Sequence, residues 1–193
     1  MNKTREIVVV DSRPEWAQEF RDIAGLLQQA LGDLALRIDH IGSTSVPGLA
    51  AKDVIDVQVT VGDLTSELEA AFKQAGYVRR AELTYDHRPP TATGSEHEWQ
   101  KQYYQPAAPA HRTHVHVRQA GSANGRYALL FRDYLRTHSL AAAAYAQVKQ
   151  ALAHHGPTDW DLYYDVKDPV CDIIMAGAED WAAASHWRTE YYS

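Results

Sequence analysis

The stretch HIGSTSVPGLAAKDVIDVQV, His40 to Val59, decides the fold of this 193-residue chain. Its first half contains Gly-Ser-Thr-Ser at positions 42–45, which predicts a loop whose backbone N–H and hydroxyl groups can surround phosphate oxygens. Its second half alternates apolar and polar residues from 53 to 61, which predicts a strand with one buried face and one polar face. Asp56 and Gln58 both lie on the polar face of that strand. The stretch therefore predicts a phosphate-binding loop that leads into a strand carrying a carboxylate.

The spacing between the loop and the strand also suggests a metal site. Twelve residues separate Ser43 from Asp56. Strand residues two apart lie roughly 6 to 7 Å apart on one face, so Asp56 and Gln58 are placed to share a metal ion. Mg²⁺ prefers hard oxygen ligands, but the amide oxygen of Gln58 brings no charge, so we expect weaker binding than with two carboxylates. The loop lacks the Gly-Lys-Ser/Thr ending of a Walker motif.

Composition limits the classes of function. The formal net charge is -6, which gives no general attraction to nucleic acid or to anionic lipid. The single cysteine, Cys171, excludes an intrachain disulfide. We find neither a secretory signal pattern nor an apolar run long enough to span a membrane. We therefore expect a cytoplasmic protein with a small-molecule partner, without membrane or nucleic-acid binding.

Hydrophobic periodicity predicts a mixed α/β arrangement up to about residue 120 and helices thereafter. The predicted strands cover residues 36–41, 53–61, 77–83, 98–104 and 113–118, and the predicted helices cover 16–31, 63–75, 123–137, 140–154 and a last segment that begins at Asp168-Pro169. We expect a single domain over residues 1–193, with an α/β core at 1–120 and a helical part at 121–193 packed on it.

Other candidate residues flank this core. His114 and His116 alternate with valines on the strand at 113–118, and with His111 they form a candidate transition-metal site. The alternative is that these histidines line a polar cleft, where they can act as acid, base or phosphate donors. Lys52 lies just before the aspartate-bearing strand and suits an anion contact, although it is also explained as a solvated loop charge. Asp86 lies in the loop between two predicted strands, where binding groups are often found.

The motifs resemble those of a known superfamily. Ile41-Gly42-Ser43 followed by Asp56-Val57-Gln58-Val59 is similar to the nucleotidyltransferase pattern at every position except Gln58. Within that superfamily the chain resembles the GrpB family over nearly its whole length. The segments that carry this resemblance are Trp16, HIGSTSVPGLAAKDVIDV, the HVHV strand, FRDYLRTH followed by Tyr145 and Lys149, and Tyr164 to Lys167.

The resemblance implies a nucleotidyltransferase-like mixed sheet flanked by helices, in the α/β (α+β) class. It implies a Mg²⁺-dependent enzyme that transfers a nucleotidyl or phosphate-containing group from a nucleoside triphosphate to a small molecule. GrpB domains also occur fused to dephospho-CoA kinase, which implies nucleotide or coenzyme metabolism. The alternative is a catalytically inactive module that binds a nucleotide or another anion and has a regulatory or partner role.

The candidate site residues fall into three groups. The catalytic candidates are Asp56, Gln58 and His116; the nucleotide- and phosphate-binding candidates are Gly42, Ser43, Thr44, Ser45, Lys52, Arg132 and Lys149; and the metal-ligand candidates are Asp56, Gln58 and His114. For Arg132 the alternative is a structural ion pair with Asp133, because most charges on helices have no functional role.

Overall fold

A computed structural model of the chain describes residues 6–107 and 112–192. It confirms the predicted mixed α/β class, with a five-stranded sheet and five α-helices in the described ranges. The strands are β1 (Arg37–Ile41), β2 (Ile55–Val61), β3 (Tyr77–Arg79), β4 (Gln102–Pro106) and β5 (Thr113–Gln119), and the helices are α1 (Trp16–Leu31), α2 (Glu67–Gln74), α3 (Ala123–Thr137), α4 (Ser139–His155) and α5 (Trp160–Ser185). None of these helices is long and apolar enough to cross a membrane.

The strand order in the sheet is β1-β2-β5-β4-β3. The central pair, β2 and β5, is parallel, and the three other pairings are antiparallel. In the parallel register Asp56 lies opposite His114, and Gln58 lies opposite His116. The sheet therefore brings together polar side chains that lie far apart in the sequence.

One face of the sheet forms the main hydrophobic core. The buried valines of β2 and β5 lie on this face because apolar residues occupy alternate positions in both strands. Helices α1 and α2 cover it with apolar stripes at three- and four-residue spacing. The core residues with almost no exposure include Leu27, Val57, Val59, Leu68, Phe72, Tyr104, Val115 and Val117. Burial of each such side chain is worth about 1.5 to 3 kcal/mol, so this face accounts for much of the folding free energy.

The opposite face of the sheet is polar, and the C-terminal helices pack near it. Gln58 and Thr60 on this face are both fully buried. The hydroxyl of Thr60 lies 2.9 Å from that of Tyr192, near the end of the chain. Only Asp56 among the polar residues of β2 keeps an exposed side-chain fraction, 28%. The polar face expected along the whole strand is therefore open at one end only.

The last helix begins earlier than the sequence predicted. It starts at Trp160, where the carboxylate of Asp159 accepts a hydrogen bond of 2.9 Å from the backbone N–H of Leu162. Pro169 consequently lies inside α5 rather than in its first turn, so the prediction of a start at Asp168-Pro169 was wrong. An aspartate followed by a proline is a helix-start signal, but here the cap at Asp159 adds more than two turns before it.

Strands β3 and β4 are also displaced from their predicted positions. β3 ends at Arg79, and residues Glu96–Trp99 form a short 3₁₀ turn rather than the start of a strand. Ser95 caps this turn, because its hydroxyl accepts a hydrogen bond of 3.1 Å from the backbone N–H of His97. This local hydrogen bond favours the turn over an extended conformation.

We predict that His40 makes the fold sensitive to acid. Its buried ring stacks on Phe20, with the centroids 4.7 Å apart, and burial lowers the pKa of His40 to about 4. A histidine in the unfolded chain has a pKa near 6.5. The neutral His40 ring therefore stabilises the folded state fully above pH 6.5, and this stabilisation is lost as the pH falls towards 4. The loss from this one group is about 3 kcal/mol. Urea unfolding across this range should show a shallower pH dependence for His40→Gln than for the parent.

The exposed His97 provides the matched control for this prediction. His97→Gln should leave the pH dependence of the unfolding free energy unchanged. An equal dependence of the unfolding free energy on pH for His40→Gln and for the parent chain would contradict the prediction.

Candidate functional site

A cleft of about 580 Å³ lies at the open end of the polar sheet face, between the sheet and helices α3, α4 and α5. This volume is in the range of small-molecule sites. The predicted site residues that line it are Gly42, Ser43, Thr44, Lys52, Asp56, His114, His116 and Lys149. A second cavity of about 230 Å³, near Arg126 and Trp187, contains none of the predicted residues.

The Gly-Ser loop is held tightly against β2. Gly42 has a φ of +68°, and a Cβ atom there would lie 2.9 Å from the Cβ atom of Asp56 and overlap its carboxylate. A glycine is therefore required for this approach. Ser45 closes the turn, because its hydroxyl donates to the carbonyl of Gly42 at 2.6 Å. Ser45 does not line the cleft, so its observed role is to shape the loop rather than to contact a ligand.

Thr44 contributes mainly to the structure of the loop. Its hydroxyl donates to the carbonyl of Val54 at 3.1 Å and lies 3.0 Å from Nε2 of His40. Because the hydroxyl hydrogen points to Val54, Nε2 of His40 is the donor of the second bond. These bonds connect the loop to both β1 and the segment before β2.

Ser43 and Lys149 form the part of the cleft best suited to an anion. The ammonium group of Lys149 donates to the Ser43 hydroxyl at 2.8 Å and to the Ala50 carbonyl at 2.6 Å. Both of these acceptors are neutral, so neither cancels the positive charge. Burial lowers the pKa of Lys149 to about 7, which means that a bound anion would stabilise its protonated form.

Two further lysines line the same region, and with Lys149 we call them the lysine wall: Lys52, Lys149 and Lys167. The Lys52 ammonium lies 4.9 Å from the ring centroids of both Trp160 and Tyr163. Lys167 pairs with Asp168 at 2.7 Å. The wall combines a loop residue with residues from α4 and α5, and Lys149, whose two hydrogen-bond acceptors are neutral, is the member best suited to an anionic ligand.

Asp56 lines the same cleft as the lysine wall and lies close to both strand histidines. Its Oδ1 lies 3.3 Å from Nδ1 of His114 and 3.9 Å from Nε2 of His116. Burial alone would raise the pKa of Asp56, but its interactions with the His114 and His116 rings outweigh this and hold the pKa well below its usual value. Asp56 is therefore ionised at neutral pH.

The proton on His116 is directed towards Asp56. Its Nδ1 lies 3.4 Å from both Lys101 Nζ and Arg118 Nη2, which can only donate hydrogen bonds. Nδ1 is therefore the acceptor and Nε2 carries the hydrogen. Burial lowers the pKa of His116 to about 4, so the ring is neutral at neutral pH. Because Nε2 carries this proton, it has no lone pair with which to accept a hydrogen bond or a proton from a ligand in the cleft.

Asp86 is the centre of a buried polar network beside His116. Its carboxylate accepts from Arg118 Nε at 2.8 Å, from Lys101 Nζ at 2.7 Å and from Asn124 Nδ2 at 2.9 Å. Burial would raise its pKa, but the Arg118 guanidinium outweighs this and keeps the group ionised. The sequence indicated Asp86 only by its place in a loop, because its partners come from distant segments.

The structure corrects the expected roles of Gln58 and Arg132. The Gln58 amide oxygen accepts from Arg118 Nη1 at 2.7 Å, and the residue does not line the cleft, so this oxygen is not presented to a metal or substrate there. Arg132 is buried, pairs with Asp133 at 2.7 Å and donates to the His40 carbonyl at 3.1 Å. This is the structural ion pair that the sequence left as an alternative to phosphate binding. His111 lies outside the described residues.

The donor set does not fit the magnesium site that the sequence predicts at Asp56, Gln58 and His114, because the Gln58 oxygen already accepts from Arg118. Asp56 presents a carboxylate to the cleft, but Asp86 already has three donors around it. Among residues 6–107 and 112–192, no group of three or more histidine, cysteine, aspartate or glutamate side chains is arranged to hold a metal ion. Mg²⁺ needs several oxygen ligands, so Asp56 alone is a poor anchor for it.

Comparisons with known proteins agree over most of the chain. Residues 6–176 match the family described as GrpB protein. A crystal structure of the conserved protein GrpB from Enterococcus faecalis is 31% identical, with a TM-score of 0.74, and the match covers 90% of this chain and 99% of that one. A UPF0157 protein of Streptomyces coelicolor is 36% identical, over 89% of this chain and 82% of that protein.

Other relatives are longer proteins. The dephospho-CoA kinase of Mycolicibacterium paratuberculosis is 37% identical over 93% of this chain, and the match covers 48% of that protein. The dephospho-CoA kinase of Mycobacterium leprae is 34% identical with the same two shares. The chain thus spans about half the length of these curated relatives.

We predict that Gly42→Ala destabilises the protein and displaces Asp56. The added Cβ overlaps the Asp56 carboxylate, and alanine is strained at a φ of +68°. The free energy of unfolding should fall by about 1 to 3 kcal/mol, measured by urea denaturation. Gly62→Ala is the matched control, because its Cβ would meet no atom within 4 Å, and it should be close to neutral. Equal stability of the Gly42→Ala and Gly62→Ala proteins would show that the close approach does not constrain the loop.

We also predict that Lys149 makes anion binding dependent on pH. Its ammonium loses a proton near pH 7, so the affinity for sulfate, which does not titrate in this range, should fall about tenfold between pH 6 and pH 8. Lys149→Met should bind sulfate weakly at both values, whereas the exposed Lys73→Met should behave as the parent. Titration calorimetry measures these affinities, and a parent affinity that is independent of pH would contradict the prediction.

Proposed function

Because the chain belongs to the GrpB protein family, we propose that it binds a nucleotide-like phosphate compound in the cleft and transfers a phosphate-containing group to a small acceptor. The observation that carries this proposal is that the lysine wall, the Gly-Ser loop and the ionised Asp56 line one cleft. In this proposal the lysine wall binds the phosphates, and Asp56 with its partner His114 binds the acceptor.

The phosphate end consists of Ser43 and the lysine wall. Ser43 and Lys149 are already in hydrogen-bond contact, at 2.8 Å, so both can reach one phosphate oxygen. The remaining lysines lie in the same cleft and can neutralise charge that develops on a leaving pyrophosphate. In this proposal resident cations supply charge stabilisation.

The acceptor end consists of Asp56 and His114. The ionised Asp56 carboxylate can only accept, and its Oδ1 lies 3.3 Å from Nδ1 of His114, which favours the tautomer with the hydrogen on Nδ1 and the lone pair on Nε2. His114 is one-third exposed, so it is accessible from the cleft. We therefore assign the general-base role to His114 rather than to the sequence-predicted His116, whose Nε2 carries a proton.

The proposed step is a single displacement at phosphorus. The acceptor hydroxyl forms a new P–O bond, its proton passes to Nε2 of His114, and the P–O bond to pyrophosphate breaks. Asp56 orients the His114 ring, as a carboxylate does for a catalytic imidazole. The names of the dephospho-CoA kinase relatives support a ligand from nucleotide or coenzyme metabolism.

A second candidate function is binding without transfer. It is favoured by the Arg118 contacts, because Arg118 engages both Gln58 and Asp86 and leaves Asp56 as the accessible carboxylate of the sheet face. In this alternative the cleft serves as a regulatory site for a nucleotide or a similar anion.

One experiment separates the two candidates. Calorimetry should show that ATP and tripolyphosphate bind the parent, and that Ser43→Ala and Lys149→Met weaken both by roughly tenfold or more. With a pool of hydroxyl and amine acceptors, with and without Mg²⁺, the parent should release pyrophosphate. Asp56→Asn and His114→Gln should retain ATP binding but lose this release by about 10² to 10⁴-fold.

The surface variant His97→Gln is the matched control and should match the parent in binding and release. Binding of ATP without release for every acceptor supports the second candidate. Absence of both ATP and tripolyphosphate binding would sink both candidates.

A further inference from the structure

Two buried polar atoms beside Asp86 lack hydrogen-bond partners. Within the described part of the chain, neither Trp99 Nε1 nor Asn124 Oδ1 has one. Both side chains line the cleft, and the residues are only 4% and 2% exposed. One atom is a donor and the other an acceptor, and both are unsatisfied.

The orientation of the Asn124 amide is determined by its neighbours. Its Nδ2 donates to the Asp86 carboxylate at 2.9 Å and to the Gln100 carbonyl at 3.0 Å. Rotation of the amide by half a turn would place its oxygen against these two acceptors, which is unfavourable. Oδ1 must therefore remain an acceptor that needs a donor from elsewhere.

The Trp99 ring is also held in place. It packs edge-to-face against Tyr127, with the centroids 5.8 Å apart. It ends the 3₁₀ turn that Ser95 caps, and the Glu98 carboxylate accepts from the Ser95 backbone N–H at 3.0 Å. The indole N–H is thus a rigid donor without an acceptor.

The local charge selects the kind of group that can satisfy both atoms. Lys101 and Arg118 lie around the single carboxylate of Asp86, so an ammonium ligand would be repelled by two cations. A carboxylate or phosphate anion has no hydrogen to donate, so it cannot satisfy the oxygen of Asn124. A hydroxyl is neutral, donates one hydrogen bond and accepts others, and so it suits both orphan atoms.

This pair is close to the reacting groups but separate from them. Asp56 lies 3.9 Å from one nitrogen of His116, and Asp86 lies 3.8 Å from the other. The ring of His116 thus lies between the two carboxylates, with a gap of almost 4 Å on either side. A substrate hydroxyl bound near Asp86 is therefore one that the site recognises and not the one that reacts at His114.

We propose that Trp99 and Asn124 form a specificity subsite for an uncharged hydroxyl-bearing part of the acceptor substrate. The subsite rests on the proposed function in that it belongs to the acceptor end of the same cleft. It predicts that polyhydroxylated, uncharged acceptors are preferred over amines and carboxylic acids.

The test uses the indole N–H signal of Trp99 in a proton–nitrogen NMR spectrum of the full chain. Trp99→Phe identifies the signal by its loss and keeps an aromatic ring against Tyr127. Glycerol and D-ribose are the probes, and 1,2,3-trimethoxypropane, which accepts but does not donate, is the matched control. A saturable shift with glycerol or ribose, at least several-fold larger than with the ether, supports the subsite.

The indole of Trp187 is the internal reference, because its N–H is already bonded to Asp133 at 3.1 Å and should not move. No saturable shift with either polyol would overturn the proposal, as would an equal shift with the ether. If a tightly held water occupies the subsite and the polyols do not displace it, no saturable shift is seen and the proposal is overturned. Titration of tripolyphosphate into the same sample tests the lysine wall separately, so failure of the proposed function is distinguishable from failure of the subsite.

Discussion

The candidate site depends on the parallel pairing of β2 with β5. This register places Asp56 opposite His114, and it continues along the strands to set Thr60 opposite Arg118. Side chains alternate between the faces of a strand, so a slip of one residue would turn the polar groups of one strand into the apolar core. The valines beneath α1 and α2 oppose such a slip because they are almost completely buried. Packing on one face of the sheet thereby determines the chemistry on the other.

Arg118 has the second large influence on the site. It donates to Gln58 and to Asp86 and is only 5% exposed. Removal of one partner from such a buried pair costs about 3 to 5 kcal/mol, because an uncompensated charge remains. The guanidinium lies between the side chains of Gln58 and Asp86 and donates to an oxygen of each. A divalent ion would need to approach these same oxygens. Arg118 thus places a positive charge on this face of the sheet, where the family resemblance leads one to expect a bound metal ion.

The sequence predicted those features that local patterns encode. Alternation predicted that Asp56 lies on the polar face of β2 and that His114 and His116 share a face of β5, but not the parallel pairing that joins these faces, and periodicity predicted α3 with the same end residues. The roles of Gln58 and Asp86 were not predictable, because each depends on Arg118, which is 60 and 32 positions away in the sequence. Arg132 on α3 gives no local sign of whether it faces a ligand or an internal partner. The start of α5 was missed because two capping signals compete and only packing selects between them.

The cleft draws its parts from two layers of the fold. The Gly-Ser loop, Asp56 and the strand histidines belong to the sheet layer, whereas Lys149 and Lys167 belong to α4 and α5. The helices can accept substitutions at these lysines without any change in strand register. The positions of Lys149 and Lys167 therefore depend on how α4 and α5 pack against the sheet, whereas the positions of Asp56 and the strand histidines depend on strand register, so a change in helix packing would alter one side of the cleft and leave the other intact.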